Sequence, residues 1–235
     1  MSKDRIWELD ALRGLCILGM IAVHLVFDLV FFTDAEPNLP TWFTYMQQYG
    51  GLLFILISGI CATLGTRTLR RGVIVFGAGL AVSYVTLFAD FVVGVGGIRI
   101  WFGILHLLGL CMVLYPLFRR LPWWALAVLG AAFVALGIWM ETVRVSVNFL
   151  FPLGLCGERF FTGSDFFPVF PGLGCFLLGA ALGKTLYRSG KTRLPKVPSD
   201  YAPLRFLRFC GRNSLWFYLL HQPVLLGLTL LIAAL

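Results

Sequence analysis

The chain has three histidines, His24, His106 and His221, and each falls inside an apolar run long enough for a membrane-spanning helix. Histidine changes charge near neutral pH. An ionisable group inside a span is costly enough to count as functional by default. His24 has the richest company: Arg13 precedes it by eleven residues and Asp28 follows it by four. At about 100° and 1.5 Å per residue, Arg13 and His24 share a face and stand about 16 Å apart along the axis, with Ile17, Met20 and Asp28 on the same stripe. A guanidinium would sit at one membrane surface and an imidazole near mid-depth. A carboxylate at Asp28 can accept from one imidazole nitrogen and leave the other as a base. Two plainer readings stand beside this one. His24 only packs against a neighbouring helix, and Asp28 only reaches the outer interface.

The other histidines also have polar neighbours. Arg99 lies seven residues before His106, about 20° away on a helical wheel. Ser214, Tyr218 and His221 are spaced i, i+4, i+7 and share a face, as reacting groups or as a structural hydrogen-bond ladder. Gln222 and Pro223 follow; Pro223 leaves the Leu219 carbonyl without its helical donor. Asp10 opens the first span. Asp165 sits in the run GSDFFPVFPGLG, ahead of a later span, as a turn residue or as a group facing an outer substrate. Arg13, Arg67, Arg70, Arg71 and Arg212 gather at helix ends, where arginine suits a phosphate ligand, although topology alone demands some of that charge. No Cys or His spacing suggests a metal site, so no metal is expected. Cys156 and Cys175 would pair only if both faced outward, and the pair is not expected.

The elements that position these groups are spans. Of 235 residues, 59% are hydrophobic and 13% charged, against about 25% charged in a soluble domain. The expected fold is an all-α integral membrane protein, one bundle and one domain over 1–235. Seven spans are expected at 11–32, 43–64, 73–93, 100–118, 123–140, 169–187 and 210–234. The segments 141–168 and 188–209 are read as the two long loops. Residues 145–156 are too apolar for an ordinary loop and read as re-entrant or interfacial. No cleavable signal is expected, because the first apolar run is too long and no small-residue cleavage site follows it. Of the nineteen Lys and Arg residues, all but Arg99, Arg144 and Arg159 fall on one side if the N-terminus is cytoplasmic. The expected topology is therefore N-terminus in and C-terminus out, in the inner cell membrane. The same one-sided placement argues against a nucleic-acid partner, despite a net charge of +8. Gly179 and Gly183 form a G-x-x-x-G step, and Gly72, Gly77 and Gly79 thin out the third span for close packing.

LDALRG followed by His24 resembles the first helix of transmembrane acyltransferases. LFILISGICATLGTRTLRRG, IWFGILHLLG, DFFPVFPGLGCFLLG and FCGRNSLWFYLLHQPV resemble, in order, successive blocks of one branch. That branch is the bacterial relatives of heparan-α-glucosaminide N-acetyltransferase, close to the type-three acyltransferases. The resemblance implies a membrane enzyme that takes an acyl group from cytoplasmic acyl-CoA and passes it to an extracytoplasmic sugar amine or hydroxyl. Acetyl-CoA or another acyl-CoA would be a co-substrate, with no permanently bound cofactor. On that model Arg13 meets the donor phosphates, with Arg70, Arg71 and Arg212, and His24 is the catalytic histidine. Ser214, Tyr218, Arg99 and His106 are unranked candidates for the oxyanion donors that acyl transfer needs.

Two other classes remain. A proton-coupled transporter also uses buried His and Asp, but no inverted repeat or matching pair of broken helices is visible. A non-enzymatic membrane subunit predicts histidines with unrelated neighbours. The lipid bilayer is the one certain partner; the sequence leaves the oligomeric state open, a homodimer included.

Overall fold

A computed structural model of the chain describes residues 6–33, 37–93, 99–143, 145–157, 165–195 and 201–233, apart from the side chains of Val93, Leu230 and Ala233. Lys3, Arg5, Asp34, Glu36, Arg144, Glu158, Arg159 and Lys196, which enter the charge pattern, lie outside the described residues. Apart from one 3-10 turn, the regular structure among the described residues is α-helical, with no strand: α1 (Trp7–Thr33), α2 (Thr41–Leu64), α3 (Thr68–Val93), α4 (Ile104–Phe118), α5 (Trp123–Glu141), α6 (Val169–Leu186), α7 (Ala202–Arg212) and α8 (Ser214–Ala233). Five of these, α1, α2, α3, α5 and α6, are long and apolar enough to cross a membrane. Uninterrupted apolar runs dictate this, because backbone groups in lipid must bond within their own helix.

Two expected boundaries are corrected. The span expected at 100–118 begins only at Ile104, so α4 has 15 residues. That is about 22 Å of helix against a hydrocarbon core of about 30 Å. Residues 99–103 do not join it because their backbone is committed elsewhere. The Ile100 N–H donates to Thr86 Oγ1 at 3.2 Å, and the Ile100 carbonyl accepts from Ser83 Oγ at 2.6 Å. The span expected at 210–234 is broken at Asn213, and its first three residues join 202–209 of the expected loop to form α7. Asn213 ends one helix and starts the next. Its Nδ2 donates to the Phe209 carbonyl at 2.9 Å, while its own carbonyl accepts from the N–H of Trp216 and Phe217. Asparagine is suited to both ends. Residues 145–156 hold a single 3-10 turn, Phe151–Leu153, closed by Gly154 at φ 110°, a conformation that favours glycine.

The chain forms two compact units. One comprises Met1–Phe54 with Ser189–Leu235, the other Ile55–Arg188. In the first, α1 packs against α7 and α8. Gly14 lies against the Leu207 carbonyl and Gly211 against the Asp10 carbonyl, so α7 runs antiparallel to α1 with backbones in contact. In the second, α3 packs on α4 and α5 on α6. Gly179 faces the Leu56 carbonyl and Gly183 faces Ile60 and Thr63, which is the close approach expected of the G-x-x-x-G step. Gly72 is packed against Met112 and Gly109, whereas a side chain at Gly77 would meet nothing within 4 Å.

Candidate functional site

In the first unit α1 and α8 run side by side in the same direction and meet through polar groups at three levels. At the lowest, an Arg13 guanidinium nitrogen donates to Ser214 Oγ at 2.6 Å, and the guanidinium carbon lies 5.8 Å from the Phe54 ring centroid. Arg13 Nε is buried and has no hydrogen-bond partner among the described residues. One turn earlier, Asp10 accepts from Arg212 Nε at 3.1 Å.

At the middle level the rings of His24 and His221 face each other, with centroids 4.9 Å apart and planes at 59°. His221 is buried, and its Nδ1 lies 2.6 Å from the Tyr218 carbonyl. A carbonyl only accepts, so Nδ1 carries the proton and Nε2 the lone pair. The Tyr218 ring is 5.4 Å from the His221 ring. His24 is half-buried and makes no hydrogen bond to any described residue, so both of its nitrogens can meet a ligand.

At the upper level Asp28, 1% exposed, is held by Gln222. The Gln222 amide nitrogen lies 3.0 Å from each carboxylate oxygen. Of the two readings of Asp28, orienting His24 or reaching the outer interface, the structure shows neither bond to His24 nor exposure: its oxygens accept from Gln222. The reason is geometric: Gln222 follows His221, so the bond joins α1 and α8 beside the two rings. Of the Ser214–Tyr218–His221 face, read as reacting groups or as a hydrogen-bond ladder, Ser214 Oγ accepts from Arg13 and the Tyr218 carbonyl meets His221.

The second unit holds the remaining candidates. His106 is buried and fully engaged. Its Nδ1 accepts from the Gly103 N–H at 3.2 Å, capping α4, and its Nε2 is 3.3 Å from Ser83 Oγ. Because Ser83 donates to the Ile100 carbonyl, it accepts from His106, which fixes the Nε2–H tautomer. Gly79 makes room for this ring. Arg99, expected on the His106 face of one helix, precedes α4 and pairs with Asp90 of α3. Asp165 is buried, with its carboxylate against Gly103. Arg70 and Arg71 are exposed in the first turn of α3, at the opposite end of that helix from Ser83, Thr86 and Asp90.

Sequence reasoning missed Ser83, Thr86 and Asp90, although their i, i+3, i+7 spacing on α3 was a signal that they share a face. It also missed Glu8. That carboxylate is buried and accepts from Thr192 Oγ1 at 2.6 Å and the Arg193 N–H at 2.7 Å, tying the segment before α7 to the start of α1. Cys175 carries a free thiol.

All of α1 and the first half of α8 fall within one family match: the model of the heparan-alpha-glucosaminide N-acetyltransferase catalytic domain spans residues 5–223. The chain belongs to that family. Comparison with curated proteins and with solved structures returns no match. Family membership covers both units and reaches Pro223, so it takes in Arg13, His24, Asp28 and His221 together. It agrees with the resemblance carried by LDALRG and the later blocks, and it places the chain in a family of membrane acetyltransferases.

Proposed function

We propose that this family member moves an acyl group, acetyl in the simplest case, from cytoplasmic acyl-CoA to an amine or hydroxyl of an extracytoplasmic sugar or glycan. The observation that carries the reading is the His24–His221 pair, 4.9 Å between centroids, on the same two helices that join Arg13 to Ser214. Arginine recognises phosphate through its planar fork, and Arg13 stands about 16 Å along α1 from His24. A donor anchored by its phosphates at Arg13, with Arg212 as a further basic contact, would extend its thioester toward the imidazole.

In the transfer, the acceptor nitrogen or oxygen attacks the thioester carbonyl carbon. Its proton passes to a His24 nitrogen, the carbon–sulfur bond breaks, and the thiolate leaves to take up that proton. An order with a transient acyl group on His24 satisfies the same balance. The reading also adopts seven spans, a cytoplasmic N-terminus and an inner-membrane location, supported by the one-sided basic residues. A homodimer is compatible with it.

The test is transfer in inverted vesicles supplied with labelled acetyl-CoA, with an amino sugar trapped inside. Labelled acceptor that disappears with His24→Ala supports the reading. Solute uptake that needs His24 but no acyl-CoA would favour the transporter instead.

A further inference from the structure

Of α7, the proposed acyl transfer uses only Arg212. Along its eleven residues, Arg205, Arg208 and Arg212 fall within about 60° of one another on the helical wheel, and Phe206 and Phe209 form an adjoining strip of similar width. The buried side is the one that meets α1, through Leu207, Cys210 and Gly211. Phe206 and Phe209 remain 53% and 56% exposed. Phe209 also sets its ring edge-on to Phe217 of α8, at 5.9 Å. Tyr201 and Trp216, flanking the helix, are exposed as well. The outward face is thus half aromatic and half cationic.

The level of α7 follows from α1. The helices touch at Asp10 and Gly14, within the turns that carry Glu8, Asp10 and Arg13. The 27 residues of α1 measure about 40 Å, roughly 10 Å more than a hydrocarbon core, so its polar first turns reach past the core. The end of α7 at Gly211 and Arg212 lies against those turns, at the boundary between acyl chains and headgroups, and the antiparallel helix carries Arg208 and Arg205 one to two turns further along α1, from where their long side chains reach back to it. Arg208 adds an independent sign: its Nε is buried with no hydrogen-bond partner among the described residues. The Arg208 side chain as a whole is only partly buried, so its guanidinium is open to a phosphate oxyanion from the lipid side.

We infer that the outward face of α7 binds anionic phospholipid, with Phe206 and Phe209 against the acyl chains and Arg205 and Arg208 on the headgroup phosphate. Basic residues beside exposed aromatics are the composition of interfacial helices that select anionic lipid. A soluble phosphate ester would leave the phenylalanines in water. A second copy docked by two-fold symmetry would set arginine against arginine.

The test is native mass spectrometry of the full chain released from micelles holding equal phosphatidylglycerol and phosphatidylcholine. The wild type should retain phosphatidylglycerol preferentially. Arg205→Gln/Arg208→Gln should lower that preference about fivefold or more per arginine, and Phe206→Ser/Phe209→Ser should reduce retention of both lipids. If the double arginine variant does not fold, Arg205→Gln alone, at an exposed position, reads the same loss. Four results would overturn the inference: no preference in the wild type; an equal loss from Arg119→Gln/Arg120→Gln, an exposed basic pair in the turn after α4; displacement of the lipid by millimolar coenzyme A; or a lipid-free dimer mass abolished by the phenylalanine variant.

Discussion

His24 of α1 and His221 of α8 meet ring to ring, 4.9 Å apart, although 197 positions separate them in the chain. Only His221 is anchored by its own helix, through the Tyr218 carbonyl. His24 therefore has the freedom a reacting group needs, and His221 provides its fixed neighbour. Replacing His24 with Ala should lower turnover about 10²- to 10⁴-fold, the usual worth of a positioned base. Because the ring has no hydrogen bond to lose, the thermal midpoint should stay close to that of the wild type. A stable, fully active variant would remove the basis of the acyl-transfer reading.

Asp28 and Gln222 join the two helices next to that pair, and the bond separates geometry from charge. Asp28→Leu strands the Gln222 amide in a buried place, a loss of about 1–3 kcal/mol. Asp28→Asn still offers an oxygen to the same amide. If the bond sets the relative position of α1 and α8, the Leu variant should unfold at lower temperature in detergent and turn over slowly with unchanged KM for the donor. The Asn variant should resemble the wild type. Equal damage from both would mean that the negative charge itself is required.

Arg13 is expected to act on the donor alone. Lysine keeps the charge but lacks the planar fork, so Arg13→Lys should raise the KM for acyl-CoA about tenfold with little change in kcat, as for a lost uniform binding contact. Ser214→Ala, which releases the guanidinium from its 2.6 Å bond, should shift KM in the same direction by less. Initial rates at varied acyl-CoA would decide it, and an unchanged KM in both variants would move the donor site elsewhere.

The sequence made the long helices legible because their signal is local: about twenty apolar residues in a row have few other fates. It also put Arg13, His24, Ser214 and His221 on helices with usable faces. What it concealed was every pairing made over distance. Nothing near Asp28 announces Gln222, 194 positions later. Residues 99–103 look helical on composition, and only their bonds to Ser83 and Thr86 explain why they are not. The arginines of α7 resemble loop charge until the helix is folded and its aromatic strip becomes visible. Asn213 breaks an otherwise unremarked run because its side-chain amide closes α7 while its backbone carbonyl starts α8.

Gly14 and Gly77 offer a contrast that tests the packing of the helices directly. Both are helical, and alanine is intrinsically favoured over glycine in a helix by about 1 kcal/mol. At Gly77 a Cβ meets nothing within 4 Å, so Gly77→Ala should raise the thermal midpoint by the small amount that propensity allows. At Gly14 a Cβ would run into the Leu207 carbonyl, with the Gly211 nitrogen 3.1 Å away. Neither obstacle is a flexible side chain, so α7 must move off α1. Overpacking of this kind costs about 1–3 kcal/mol and outweighs the propensity gain. Gly14→Ala should therefore lower the midpoint and expose the buried Cys210 thiol to a maleimide probe, whereas Gly77→Ala should leave that thiol protected. Equal protection in both variants would show that α7 is not seated on α1 as the two glycines require.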